Sequence, residues 1–272
     1  MTIQHRLLIP LMLRGNIGKS VLLSLLAQWL TQRGIPWAGV DWDNDHQSFS
    51  RLFPDEVRLS PLGEEPEGDI LKLLRICPSH PLFLADPRAH LSDIIIRSWK
   101  MVRFPETFAQ EGGRITIFLF PGEDLETLTD IDRTVGILSN SVDYIVVKNR
   151  ARAPRTRMYD DSALESDILA LGAEVLEIPV LLSMARNHLA ALEAELGRGV
   201  THVEAIANKQ LPLDPMVRLI IEDWVKGIFR RLDVLAPLLL PSSLISSIPK
   251  QETPSQTPQP IRRGSKINRD NL

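Results

Sequence analysis

Seven residues near the N-terminus, Arg14-Gly15-Asn16-Ile17-Gly18-Lys19-Ser20, are of the types that hold a polyphosphate. The glycines let main-chain amides converge on an anion. Lys19 brings a compact positive charge to the outer phosphates, and the Ser20 hydroxyl is a hard oxygen ligand for Mg²⁺. The amides of Gly15, Asn16, Ile17, Gly18, Lys19, Ser20 and Val21 are therefore the candidate nucleotide-binding groups. The common pattern G-x-x-x-x-G-K-[ST] asks for glycine at position 13, where this chain has Leu13, but the shorter pattern [KR]-G-x-x-G-K-[ST] is satisfied from Arg14 onward. Further along, "GVDWDNDHQ" offers Asp41 and Asp43, and "PLFLADPRA" offers Asp86. Carboxylates at the ends of apolar runs suit metal ligation and the orientation of water, although each also reads as a solvated turn or a cap. No Ser or Cys is paired with a base, so the chemistry in prospect is phosphate chemistry carried by metal and backbone dipoles.

Such residues act together only if the fold delivers them to one edge. Short apolar runs at Arg6–Leu13, Pro36–Asp41, Leu82–Ala85, Ile115–Phe120, Tyr144–Val147 and Val175–Ile178 read as strands. Helical patterns separate them at Lys19–Arg33, Asp69–Ile76, Leu91–Val102, Leu125–Leu138, Ser162–Leu171 and Met184–Leu196, with Gly34 placed as a helix stop. The strands are continuously apolar, as when both faces are covered. The alternation predicts an α/β fold: a doubly wound, mainly parallel sheet with helices on both faces. In such a sheet each strand brings its C-terminal residues to the same edge as the glycine loop. Asp41 and Asp43 are then expected on one side and Trp42 on the other. Trp29, Trp37 and Trp99 read as core. Residues 1–240 are expected to form one nucleotide-binding domain, and the Ser-, Pro- and Gln-rich stretch 241–272 a disordered tail.

The loop, with these aspartates in order, resembles the deviant phosphate loop of the ParA/MinD family of P-loop ATPases, whose usual form is K-G-G-x-G-K-[ST]. The resemblance spans roughly Gln4 to Arg198. It implies ATP and Mg²⁺ as cofactors and a homodimer bridged by ATP, in which Arg14 takes the place of a lysine that touches the partner's nucleotide. It further implies that Lys19 and Asp43 serve hydrolysis, Asp43 positioning the attacking water, and that Ser20, Asp41 and Asp86 stand at the metal. Asn149, ending "DYIVVKN", and Pro179 in "EIPVLLS" match family positions around adenine, with residues 178–182 lining that pocket. Asn16 replaces a family glycine, at a position where asparagine tolerates positive φ, and Asn44 replaces a family proline. The family's switches partition or position DNA and other cargo, or accompany conjugative transfer, and answer to a partner protein that stimulates hydrolysis. Two other readings stay open: a module that holds nucleotide with little turnover, and a small-molecule P-loop kinase or ligase.

Composition sets the remaining bounds. The 272 residues carry a formal charge of −3, so nucleic-acid binding would need a local patch. The basic stretch 148–157, "KNRARAPRTR", is one candidate for nonspecific DNA contact; a solvated loop or a nucleotide contact are the others. Arg262, Arg263 and Lys266 in the tail could add to it. The single cysteine, Cys77, excludes an internal disulfide and fits a cytoplasmic compartment. No apolar run is long enough to predict a membrane span. The helical pattern Met216–Leu232 reads as docked on the core rather than as a membrane-seeking helix.

Overall fold

The computed structural model describes residues 2–60, 68, 69, 72 and 79–248. Its centre is a seven-stranded sheet of β1 (His5–Pro10), β2 (Ala38–Asp41), β3 (Val57–Leu59), β4 (Leu82–Asp86), β5 (Gly113–Leu119), β6 (Asp143–Asn149) and β7 (Glu174–Ile178). Their order is β3-β2-β4-β1-β5-β6-β7, and every recorded pairing is parallel. The helices are α1 (Lys19–Gln32), α2 (Ser48–Leu52), α3 (Ser92–Val102), α4 (Phe104–Gln110), α5 (Leu125–Leu138), α6 (Ala163–Ala170), α7 (Ser183–Leu196), α8 (His202–Ala207), α9 (Pro215–Val234) and α10 (Ala236–Leu239).

The topology follows from the sequence pattern. Strand β4 is buried at all five positions, and β1 at all but its first, so neither face can meet water. The chain leaves β1 in one direction to reach β2 and β3, then moves the other way from β4 to β5, β6 and β7. Right-handed crossovers in opposite directions place their helices on opposite faces, and the reversal opens a crevice beyond the end of β1. Helix α1 stops where Arg33 and Gly34 turn the chain, Gly34 at φ +65°.

Strand β3 and the short helices α2 and α4 carry no signal long enough to have been anticipated. The helix expected over Asp69–Ile76 falls largely outside the described residues. Of the tryptophans, Trp29 and Trp99 are core, whereas Trp37 is half-buried against Phe49 and Phe53. Helix α9 docks as expected: Val217, Ile221, Val225, Ile228 and Leu232 face inward, and Asp233 accepts hydrogen bonds from Trp29 of α1 and from Arg33, which caps that helix. The ordered body continues past the expected boundary at 241. A 3-10 turn over Ser242–Ser247 follows, and the Ser242 amide donates to the Ile3 carbonyl at 2.9 Å. Leu244, Ile245 and Ile248 supply the apolar contact that the Ser-rich reading overlooked. The rest of the expected tail, 249–272, lies outside the described residues.

The opposite end of β1 is fixed by a buried arginine. The Arg6 guanidinium is 1 % exposed and donates to Asp143, Thr116 and the carbonyls of Pro237, Leu238 and Leu240. Each donor has a partner, which makes burial of this charge tolerable.

Candidate functional site

The glycine loop runs from the end of β1 into the first turn of α1. Its shape needs two left-handed residues, and the chain supplies Asn16 at φ +58° and Gly18 at φ +102°. The departure from glycine at 16 is thus accommodated by a side chain that tolerates the left-handed region. Among the described residues, no acceptor in the chain takes the amides of Gly15 through Val21. These amides, with the positive end of α1, form the anion-binding cradle expected from the sequence.

The loop is braced from outside. The Leu13 amide donates to Asp130 of α5 at 2.7 Å, and the Leu13 carbonyl accepts from the His90 amide at 3.0 Å. Arg14 forms an ion pair with Asp124, which also caps α5 by accepting from Thr127. The Asn149 side chain donates to the Ile17 carbonyl at 3.0 Å and accepts from the Ala151 amide at 3.2 Å. A Cβ at Gly18 would lie 2.2 Å from the Asn149 amide nitrogen, so this glycine serves close approach as well as φ. Sequence reasoning missed Asp124 and Asp130, because contacts between a loop and a helix some 110 residues away leave no local pattern.

Lys19 is buried, and its Nζ donates to the Arg14 carbonyl at 3.2 Å. Burial pulls its pKa below the ordinary lysine value, against the opposing pull of Asp86, Asp43 and Asp130. Asp86 ends β4 with 2 % exposure, and burial pushes its carboxyl up to about 7. The Ser20 hydroxyl and Lys19 pull it down, and Asp41 pushes it further up. Among the described residues, no hydrogen-bond partner is found for its Oδ2. An orphaned carboxylate oxygen beside a serine hydroxyl and a lysine is a donor set suited to a hard divalent cation with phosphate, so Ser20 and Asp86 fit Mg²⁺.

Two clefts flank the glycines of the loop, and a third lies at its Leu13–Arg14 entrance against α5. One, of about 700 Å³, is lined by Lys19, Ser20, Asp43, Pro87, His90 and Arg152 among others. The other, of about 370 Å³, lies between the loop, the Phe120–Asp124 segment and the end of β6. Asp43 faces the larger cleft, where its Oδ1 accepts from the amides of Asp45 and His46 at 3.0 and 3.1 Å.

Three expectations change at this edge. Asp41 does not share Asp43's side: it is wholly buried and does not line the cleft. Its Oδ1 accepts from the Asp43 amide, and its Oδ2 from the amides of Phe49 and Ser50 and from the Ser50 hydroxyl, all within 3.2 Å. A carboxylate with that many bonds anchors the β2–α2 turn and has little left for a metal. Pro179 lines neither cleft, and its carbonyl accepts from Trp224 Nε1 at 2.8 Å, so residues 178–182 do not wall the space beside the loop. Asn149 does line the smaller cleft, but both ends of its amide are engaged within the chain.

The basic stretch is also less free than its composition suggests. Lys148 pairs with Asp160 and Glu165, and Arg150 pairs with Glu177. Exposed Arg155 and Arg157 face neither cleft, whereas Arg152 lines both.

No family model matches this chain, and no curated protein matches it. Among solved structures, the MinD cell division protein of Aquifex aeolicus is similar at 16 % identity, covering 84 % of this chain and 96 % of that one, with a TM-score of 0.44. A nucleotide-binding protein in complex with ADP from Archaeoglobus fulgidus is similar at 14 % identity, covering 65 % and 82 %, with a TM-score of 0.44. Chloroplast FtsY from Physcomitrella patens is similar at 16 % identity and a TM-score of 0.38, and this chain spans about half of its length, 51 %. At these scores the likeness decides nothing about chemistry. The P-loop type of fold stands on the parallel strand order, the switch in winding direction and the glycine loop at the end of the central strand. Among the described residues no helix is long and apolar enough to cross a membrane.

Proposed function

We propose that this chain is a Mg²⁺- and ATP-dependent switch of the ParA/MinD type, a weak ATPase in which ATP bridges two copies of the chain. The observation that carries the reading is the meeting of the amide cradle with Lys19, Ser20 and the orphaned Asp86 oxygen at one sheet edge. Loop amides and Lys19 bind the phosphates, and Ser20 and Asp86 hold the metal. When bound, Mg²⁺ supplies charge neutralisation across the phosphate oxygens. Asp43 orients the attacking water, and Arg14 reaches the partner's nucleotide. Such a switch would act in DNA partition, positioning or conjugative transfer, with a second protein stimulating hydrolysis. Contact with DNA phosphates is assigned to Arg155 and the tail cations Arg262, Arg263 and Lys266, because Lys148 and Arg150 are neutralised within the chain.

Equilibrium binding of ATP with and without Mg²⁺ tests the core of this reading. Wild type binds in a Mg²⁺-dependent manner, Lys19→Ala loses affinity by two orders of magnitude or more, and Asp86→Ala loses the Mg²⁺ dependence. Absence of ATP and ADP binding by wild type refutes it. Particle mass with ATP, measured on an Asp43→Ala variant to trap the bound state, tests the dimer.

A second reading, nucleotide holding with little turnover, is favoured by one observation: Arg14 is already paired with Asp124 of its own chain. Asp124→Asn keeps a capping side chain and removes the charge. If the pair restrains Arg14, this variant dimerises with ATP and hydrolyses it faster than wild type. Unchanged rates in a protein that binds ATP tightly favour the holding module.

A further inference from the structure

We infer that Arg152 is a phosphate-binding residue of the nucleotide site, supplied in cis from the turn after β6. The inference rests on the nucleotide reading above and adds a residue to it. The two clefts on either side of the glycine loop share three lining residues: Gly15 and Asn16, which belong to the loop, and Arg152, which reaches it from another element. A phosphate chain in either of these two clefts passes Arg152, whereas the cleft at the Leu13–Arg14 entrance, walled by α5, does not include it.

Its position is built rather than incidental. The amides of Arg152 and Ala153 both donate to the Asn149 carbonyl, at 3.0 and 2.9 Å, forming a tight turn directly after the strand. The Asn149 side chain in turn holds the Ile17 carbonyl of the loop. Arg152 is therefore three residues from a hydrogen bond to the very loop it faces.

Charge points the same way. The other arginines lining these clefts have acidic partners, Arg14 with Asp124 and Arg88 with Asp45. Among the described residues, no carboxylate lies within ion-pair distance of Arg152. Lys19, the remaining strong cation there, is partly countered by Asp86, Asp43 and Asp130. A nucleoside triphosphate carries several negative charges, and a planar guanidinium with an open fork is the group best suited to its oxygens. Arg152 thereby takes in its own subunit a role like the one that the family resemblance implies for Arg14 across a dimer.

The test is Mg²⁺-dependent binding of ATP and of AMP by the full chain, for wild type, Arg152→Ala, Arg152→Lys and Arg157→Ala. Arg157 is an exposed neighbour outside both clefts, so its variant removes the same charge from the wrong place. Losing a charge-assisted contact is expected to weaken ATP about 10- to 100-fold in Arg152→Ala. AMP should change by less than threefold, Arg152→Lys should recover part of the loss, and Arg157→Ala should bind as wild type. Circular dichroism and a thermal midpoint matching wild type support the assignment to contact rather than folding. Wild-type ATP affinity in Arg152→Ala overturns the inference, as does an equal loss in Arg157→Ala. Loss of DNA binding by Arg152→Ala with ATP affinity intact also overturns it. Failure of wild type to bind ATP removes the nucleotide reading and this inference with it, and is read on the wild-type arm alone.

Discussion

Asn149 can be a reader of adenine or a clamp on the phosphate loop, and the two roles separate in a double-mutant cycle with Gly18. A methyl group placed on Gly18 meets the Asn149 amide at 2.2 Å, a distance no real Cβ tolerates. Gly18→Ala therefore has two costs. The first is left-handed backbone for a residue with a side chain, about 1–2 kcal/mol. The second is displacement of the Asn149 amide, which breaks its bond to Ile17 and leaves that carbonyl without its partner, about 1–2 kcal/mol more. Asn149→Ala alone loses the same hydrogen bond. In Gly18→Ala/Asn149→Ala the obstructing amide is gone, so only the backbone cost is added to the lost bond. The double variant should be less destabilised than the two singles together by about 1–2 kcal/mol.

Urea denaturation of the three variants and wild type gives the stability cycle, and binding of ATP against GTP gives the functional one. A clamp predicts that Asn149→Ala weakens both nucleotides by a similar factor, because the loop that holds the phosphates has loosened. A base reader predicts a change in the ratio of the two affinities. Additive stabilities within about 0.5 kcal/mol would refute the close approach of Gly18 and Asn149. A shift of tenfold or more in ATP preference would refute the clamp.

Other expectations concern parts of the fold away from the phosphates. The His202 ring packs at a tilt against Trp224, its Nδ1 is sealed from water with no partner among the described residues, and burial lowers its pKa from 6.5 to about 4. The unfolded chain then takes up a proton that the native state refuses, so stability present above pH 6.5 is lost as pH falls toward 4. The residue as a whole is only half-buried, which sets the loss at about 1–3 kcal/mol; denaturation across pH 4–7 should show it, and His202→Phe should remove this component of the slope. Arg6→Ala leaves Asp143 with Arg114 alone and takes the side-chain donor from the Pro237 and Leu240 carbonyls, so it should cost about 2–4 kcal/mol by urea titration, whereas a loss under 1 kcal/mol would contradict the network. Asn16→Gly keeps the left-handed turn and should leave ATP affinity within threefold, while Asn16→Val should destabilise the loop and weaken binding at least tenfold.

The sequence carried the scaffold well because the scaffold is written in local patterns. Continuous apolar runs marked six of the seven strands, and helix α5 was expected over its full observed span, Leu125–Leu138. The β1–loop–α1 unit was legible because glycines, a lysine and a serine occupy fixed offsets at a change of period. Short β3 was not legible, since three residues, Val57–Leu59, give no periodicity. The site divided along the same line. Lys19, Ser20, Asp43 and Asp86 meet at one edge because parallel strands bring their ends together, which the pattern implies. The orientation of Asp41 was misjudged because alternation holds only within a strand, and β2 ends at that residue. Beyond it the side chain is claimed by amides of α2. Asp124, Asp130 and Arg152 act through contacts across distant segments, where no spacing rule applies.

The missing glycine at position 13 follows from the same division between local and distant causes. Glycine is required where the chain must turn left-handed or pass close to a neighbour. Leu13 has no positive φ, and the loop places that demand on Asn16 and Gly18 instead. What position 13 must do here is enter the loop at a fixed angle, and Asp130 and the His90 amide set that angle by holding the Leu13 amide and carbonyl. Asp130 is itself held by Arg133, which also pairs with Asp93 of α3. The path from β1 into the loop is thus set by α5 and the turn before α3, not by freedom of the backbone. Removing Asp130 should therefore harm the loop more than restoring glycine at 13 could help it. In Asp130→Ala the Leu13 amide loses its acceptor and Arg133 keeps only Asp93, so ATP affinity should fall several-fold although Asp130 lines neither of the clefts that flank the glycines. Unchanged affinity in that variant would mean that the loop holds its shape without the brace.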